Sequence, residues 1–176
     1  VPGAFSEMAV HRHWPDGAVS VPCRSFPDAL AHVLDGRTDF AVIPVENAII
    51  GPVQIACAAL DAVGTAVTVL GEVRVPVHLC LMAQPGVEID ELRTVASHPA
   101  ALAQCRIYLA RHGWIEQREH EDTAGAARDV SLSPDRSAAA IASEVAAAHY
   151  GLRILERFVE DMAANWTRFL VVSAAA

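Results

Sequence analysis

Lysine is absent from this chain: all thirteen basic residues are arginine. Schiff-base chemistry and a lysine general base are thereby excluded. Twenty-one acidic residues leave a net charge of -8. No basic face is visible on which nucleic-acid phosphates would be neutralised, so nucleic acid is not expected as a partner. Cysteine is sparse and scattered, at Cys23, Cys57, Cys80 and Cys105. No Cys-x-x-Cys pair occurs, which supports neither a zinc site nor a redox motif, and no metal is assigned. Isolated cysteines in an Ala/Val-rich chain read as free thiols in the core. A Gly-x-Gly-x-x-Gly turn, a P-loop and a Gly-x-Ser-x-Gly elbow are all missing, so no nucleotide or other cofactor is expected. Neither a signal peptide nor an apolar run of membrane-spanning length is seen, and a cytoplasmic protein with no membrane partner is the expectation.

What is present is a rhythm. Hydrophobic residues make up 53% of the chain and charged residues only 19%, enough for a substantial core. Strand-like apolar runs alternate with helical patterns, the mark of an α/β sheet with crossover helices. The first half predicts a helix from Ser6 to Trp14 capped by Ser6, a strand at Val19–Pro22, and a helix over Phe26–Leu34 ended by Gly36. A buried strand at Asp39–Pro44, a helix over Val53–Val63, and strands at Ala66–Leu70 and Val73–Met82 follow. The second half predicts a strand at Arg93–Ala96 and a helix from Ala100 to His112, entered through Ser97-His98-Pro99. Beyond it come a strand at Ile115–Arg118, a helix over Thr123–Val130, a strand at Ala138–Ala142, and a helix over Glu144–Tyr150 closed by Gly151. Strands at Leu152–Phe158 and Thr167–Val172 complete the pattern. Hinge-like stretches near Val75–His78 and Glu160–Asn165 divide it into a first lobe of about 1–75 plus 163–176 and a second of about 78–160. Such a junction is where small ligands bind.

Three segments place polar residues where an α/β sheet binds ligands. Asn47 follows a buried strand, and strand carboxyl ends face the ligand crevice in open sheets. Its amide suits a carboxylate or a hydroxyl, though turning the chain or capping the next helix explains it without any ligand. Ser97 reads as an N-cap with Pro99 behind it, and a helix start is also an anion site. Gln104, flanked by apolar residues, hints at a buried amide needing a partner. Glu121-Asp122-Thr123-Ala124-Gly125 is another capped helix start, whose small residues permit close approach. His98 reads as a packed or surface residue.

These segments acquire a shared meaning together with the chain's end. Pro2-Gly3-Ala4-Phe5-Ser6-Glu7, Pro44-Val45-Glu46-Asn47 with Gly51, Ser97-His98 with Gln104-Cys105, Asp122-Thr123-Ala124-Gly125-Ala126-Ala127, Tyr150-Gly151-Leu152 and Asn165-x-Thr167-Arg168-Phe169 occur in order. Over nearly the whole chain they resemble the catalytic domain of the prephenate dehydratases, without the regulatory ACT domain of that family. The resemblance implies a two-lobed α/β fold like the type II periplasmic binding proteins, with an active-site cleft between the lobes. It implies a cofactor-free lyase converting prephenate to phenylpyruvate, carbon dioxide and water in phenylalanine biosynthesis or a secondary aromatic pathway. A homodimer is expected. Thr167, Asn47, Ser97 and Gln104 carry over as catalytic positions. Thr123, Arg168, Phe169, Glu46, Ser6 and Ala124 carry over as substrate-binding ones. Ala48 and Pro52 depart from the family's usual residues beside Asn47.

In that chemistry aromatisation supplies the driving force, and the protein mainly positions the substrate and stabilises its leaving groups. Thr167 is the expected hydrogen-bond donor to the departing hydroxyl. Arg168 reads either as a bidentate carboxylate clamp or as an inter-lobe salt-bridge former. Two other functions fit the same residues. One is a paralogue that decarboxylates without losing the hydroxyl; the other is a non-catalytic binding module, since fold does not fix function.

Overall fold

The computed structural model describes residues 1–175. It is mixed α/β and divides into two compact units, one of Phe5–Pro76 with the segment from Ala164, the other of Val1–Ala4 with Val77–Ala163. The expected first lobe began at Val1. Its first four residues instead belong with the second unit, because Ser143 Oγ donates to Gly3 O at 2.7 Å and Tyr150 Oη to Pro2 O at 3.1 Å.

The Phe5–Pro76 unit holds helices α1 (Phe5–His13), α2 (Phe26–Leu34) and α3 (Gln54–Val63). Its strands are β1 (Ala41–Asn47), β2 (Gly51–Pro52), β3 (Val67–Pro76) and β9 (Trp166–Ala174). They form an antiparallel sheet in the order β2-β1-β9-β3. Strand alternation sorts the side chains of β9 onto two faces. Phe169 and Val171 pack with Ala9, Val73 and Val75 beneath α1, while Val172 packs with Leu30, Val33, Ile43 and Ala56 beneath α2 and α3. The sheet is thus covered on both faces, which is why Phe169 is only 1% exposed.

Local chemistry sets the elements. Ser25 Oγ accepts from Asp28 N at 3.2 Å, capping α2 where Pro27 pre-sets the backbone, and Gly36 leaves the helix at φ 67°. Helix α1 starts one residue before the expected cap, so Ser6 lies inside its first turn. Residues 19–22 form no strand; Val19 is 91% exposed, and no neighbouring strand takes its backbone groups. The two strands expected across 66–82 divide elsewhere: β3 runs through Gly71 with an irregular register, and β4 (Cys80–Ala83) is separate.

The Val77–Ala163 unit has five strands in the order β6-β5-β7-β4-β8. These are β4, β5 (Thr94–Ser97), β6 (Glu116–Glu119), β7 (Ala138–Ala142) and β8 (Arg153–Arg157). β5 runs parallel to β6 and β7, whereas β4 is antiparallel to both its neighbours. Helices α4 (Pro99–Ala103) and α5 (Arg106–Arg111) replace the single helix expected over 100–112. Asp161 explains the break: its N–H donates to Gln104 O at 2.6 Å, and its carboxylate accepts from Ile107 N at 2.9 Å, starting a new helix. Helix α6 (Thr123–Leu132) packs its Ala/Gly face on the sheet, beside α7 (Glu144–Tyr150), which Gly151 closes at φ 66°.

Two glycines are required by close approach. A Cβ on Gly3 would lie 2.6 Å from Ala146 Cα, and Gly3 has φ +82°. A Cβ on Gly125 would lie 2.6 Å from Asp122 Oδ2 and 2.7 Å from His120 Cε1. The Pro-Gly-Ala and Asp-Thr-Ala-Gly segments therefore have packing reasons of their own.

Candidate active site

A buried polar network lies at the head of β9. A bulge between Pro44 and Glu46 shifts the register of β1 against β9, so that Asn47 lies opposite Thr167. Before the bulge the odd-numbered residues Ala41 and Ile43 face α2 and α3. One extra residue reverses that parity and turns Asn47 to the side of Thr167 and Phe169. The two hydrogens of its Nδ2 are then shared among three acceptors, Asn165 Oδ1 at 2.9 Å, Trp166 O at 3.1 Å and Thr167 Oγ1 at 3.1 Å. Its Oδ1 accepts from Ile49 N at 3.0 Å and Ile50 N at 3.2 Å, forming the turn that follows the strand. Asn47 is 6% exposed and its bonding capacity is filled within the unit. It organises the turn, as one sequence alternative held, and it also holds Thr167.

The bond to Thr167 has a direction. Asn47 supplies the hydrogen, so Thr167 Oγ1 spends a lone pair and keeps its own proton to donate. Among the described residues no protein acceptor takes that proton. Asn165, 3% exposed, supports the amide from the other side. Sequence reasoning gave Asn165 no role; its place at the head of the Asn-x-Thr-Arg-Phe segment was the available signal.

The opposite face of the same strands is charged. Arg168 Nε lies 3.0 Å from Glu46 Oε2, and Arg168 NH1 lies 3.3 Å from Glu72 Oε2. Bonding to Glu46 holds the guanidinium more firmly charged than usual. Arg74 stacks over the Trp166 ring, 4.7 Å from its centroid. Because neighbours along a strand point to opposite faces, Glu46 and Arg168 lie across the sheet from Asn47 and Thr167. Glu46, Glu72 and Arg168 belong to one unit, so these ion pairs tie strands of a single sheet, where a salt bridge between lobes was expected. Ala48 donates its N–H to Trp166 O at 2.9 Å and exposes its side chain, so the departure there changes an exposed group and leaves the backbone pairing in place.

In the other unit, Ser97 does not cap a helix. Its hydroxyl donates to Ile141 O at 2.6 Å, tying the end of β5 to β7, and it is fully buried. His98 is the cap instead: Ala100 N donates to its Nδ1 at 3.1 Å. Gln104 is the C-terminal cap of α4 and 9% exposed. Next to it, burial foremost, then Asp161 and Glu160, pushes the Cys105 thiol up to about 12. Thr123 opens α6, but Asp122 fills the helix start, accepting from Gly125 N at 2.6 Å. The Asp122 carboxylate thus already occupies that helix end, and the Thr123 side chain is half-buried next to it. Ala124 and Phe169 are buried in the cores of their units. The structure brings Asn47 and Thr167 into direct contact. It pairs Glu46 with Arg168, and it places Ser6, Ser97, Gln104 and Thr123 on separate elements.

One unit thus carries a sheet whose bulge aims an amide at a strand-head hydroxyl, and the other a capped Asp-Thr-Ala-Gly helix, each formed from one of the short motifs that occur in order along the chain. The prephenate dehydratase family model matches residues 1–176. Arogenate dehydratase 1 of Petunia hybrida is 40% identical over 174 residues, which is 98% of this chain and 40% of that protein. A bifunctional N-acyl-homoserine lactone acylase/prephenate dehydratase of Komagataeibacter europaeus is 37% identical over 172 residues, 98% of this chain and 60% of that one. The prephenate dehydratase of Arthrobacter aurescens, solved in complex with L-Phe, superposes with a TM-score of 0.87 at 32% identity, covering 99% of this chain and 58% of that one. The chain belongs to the prephenate dehydratase family. It spans about 40% of the length of the Petunia relative.

Proposed function

We propose that this chain catalyses the conversion of prephenate to phenylpyruvate, carbon dioxide and water, a step toward phenylalanine. The observation that carries the reading is the Asn47-to-Thr167 hydrogen bond, which leaves a strand-head hydroxyl oriented as a donor. Two bonds break in the reaction. The ring carboxylate leaves as carbon dioxide and its electron pair enters the ring, while the 4-hydroxyl leaves with one added proton as water. Thr167 donates a hydrogen bond to the departing oxygen as negative charge builds on it, which stabilises the transition state more than the ground state. A threonine hydroxyl is too weak an acid to supply the proton unaided, and solvent supplies it in this account.

Gln104 and Thr123 are proposed to hold substrate carboxylates through the amide and the hydroxyl. Ser97 is proposed to act through the frame of β5 and β7, since its proton is bound to Ile141 O. Arg168, Glu46 and Phe169 are proposed to act through the sheet. A cytoplasmic homodimer is part of the same proposal; no described helix is long and apolar enough to cross a membrane.

Arogenate is the second substrate candidate, favoured by the 40% identity to a protein described as an arogenate dehydratase. The two differ at the side-chain carbon, a keto group in prephenate and an amine in arogenate, and yield phenylpyruvate and phenylalanine respectively. Incubating the chain with each substrate in parallel, and with an N-acyl-homoserine lactone as a third arm, separates the readings. Phenylpyruvate from prephenate above the uncatalysed background is the expected result. Faster formation of phenylalanine from arogenate would make the amine the preferred substrate feature. Activity on the lactone alone would overturn the proposal.

A further inference from the structure

Away from the β9 network, Cys23, Asp28 and His32 place three metal-ligating atoms within 4.8 Å of one another, all on half-buried side chains. Their spacing matches no cysteine-rich zinc motif; Asp28 and His32 share one face of α2, and the lead-in to that helix brings Cys23 to them. We propose that these three side chains form a zinc site, with water in the fourth position.

One ligand atom from each residue lies within 4.8 Å of the other two, wider than the spacing around a bound ion, and His32 can give an ion only one of its two ring nitrogens. Cys23 Sγ lies 3.9 Å from His32 Nδ1, and His32 Nε2 lies 3.8 Å from Asp28 Oδ1. Tetrahedral zinc holds sulfur and nitrogen at about 2.3 and 2.0 Å, which puts bound donors roughly 3.5 Å apart. In this proposal binding draws the donors together from within 4.8 Å by rotation of the side chains. Asp28 and His32 are one turn apart on α2 and face the same side. The Asp28 carboxylate is oriented in advance, because Arg24 N donates to its Oδ2 at 3.0 Å and leaves Oδ1 toward His32. Apart from His32, the Cys23 thiol makes a long contact to Val21 O at 3.6 Å, so little holds it away from a metal. Arg37 is a nearby cation, and Asp35 pairs with it at 2.9 Å. A thiolate, an imidazole and a carboxylate are a donor set suited to zinc and poorly suited to magnesium or calcium. The bound ion would fasten the lead-in before Ser25 to the first turns of α2.

Titration of the full chain with zinc and with cobalt(II) tests this. One equivalent of metal is expected, with release of the thiol proton and, for cobalt, a thiolate-to-metal charge-transfer band. Cys23→Ser should abolish the band, and His32→Ala should weaken binding about tenfold or more. Far-ultraviolet circular dichroism of each variant confirms the fold, so lost binding is not lost structure. Zinc uptake that is absent in the parent, or unchanged in Cys23→Ser, would overturn the proposal. A cobalt band that persists in Cys23→Ser would do the same, since it would come from another cysteine.

Discussion

The amide Nδ2 of Asn47 lies 3.1 Å from Thr167 Oγ1, a contact across 120 residues of sequence made by a single bulge in β1. Asn47 also takes Ile49 N and Ile50 N on its other end. The two residues should therefore fail differently. Asn47→Ala removes the acceptor of two backbone N–H groups and the amide that holds Thr167, and it should cost about 1–3 kcal/mol of stability together with most of the turnover. Thr167→Ala should unfold at nearly the parent denaturant midpoint. Paired denaturation curves and kcat values check this; equal stability loss in both would contradict the assigned division of roles.

Much of this was legible beforehand. Helix α2 appears over the expected 26–34 and β7 over the expected 138–142, because cap, apolar period and terminator agree at those places. The residues of the Asn47–Thr167 contact were also legible, through the order of short motifs. The bulge was not, since one extra residue in a strand leaves no periodic trace. Nor was the break at Gln104, which depends on Asp161 more than fifty residues away. Ser97 was read as a cap because its local sequence is that of one; its hydroxyl is instead drawn to a neighbouring strand's carbonyl, and His98 takes the cap.

Glu46 and Arg168 decide between two readings of the arginine. Both side chains are partly exposed, at 41% and 28%, so their pairing should contribute modestly. A double-mutant cycle should give a coupling of about 0.2–1 kcal/mol, with KM for prephenate little changed in Arg168→Met. A KM raised tenfold or more would restore Arg168 as a substrate clamp.

The two tightly packed glycines should rank clearly. Gly3→Ala meets backbone at a positive φ and should cost about 1–3 kcal/mol or more. Gly125→Ala meets the ends of two side chains and should cost about 0.5–2 kcal/mol, the value of a lost cap. Melting temperatures measured side by side check the order.

Burial of Cys105 predicts an alkaline limb. Its folded thiol titrates near 12, above the ordinary value of 9.0. Below 9 both states hold the proton and its contribution is fully present. Between 9 and 12 only the unfolded chain releases it, so stability falls as pH rises, by at most about 1.4 kcal/mol per pH unit from this group. Cys105→Ala should lower stability near neutral pH and flatten that limb, which denaturation curves at pH 8 to 10.5 would show.

The central claim is that the Thr167 hydroxyl stabilises the leaving oxygen. The direct measurement is kcat and KM for phenylpyruvate formation from prephenate by the parent, Thr167→Ser and Thr167→Ala. Losing a donor to developing charge costs roughly 2.7–4 kcal/mol, so kcat in the alanine variant should fall about a hundredfold or more with KM little changed. The serine variant, which keeps the donor, should retain much of the parent's rate. An alanine variant as fast as the parent would contradict the account and remove Thr167 from the chemistry.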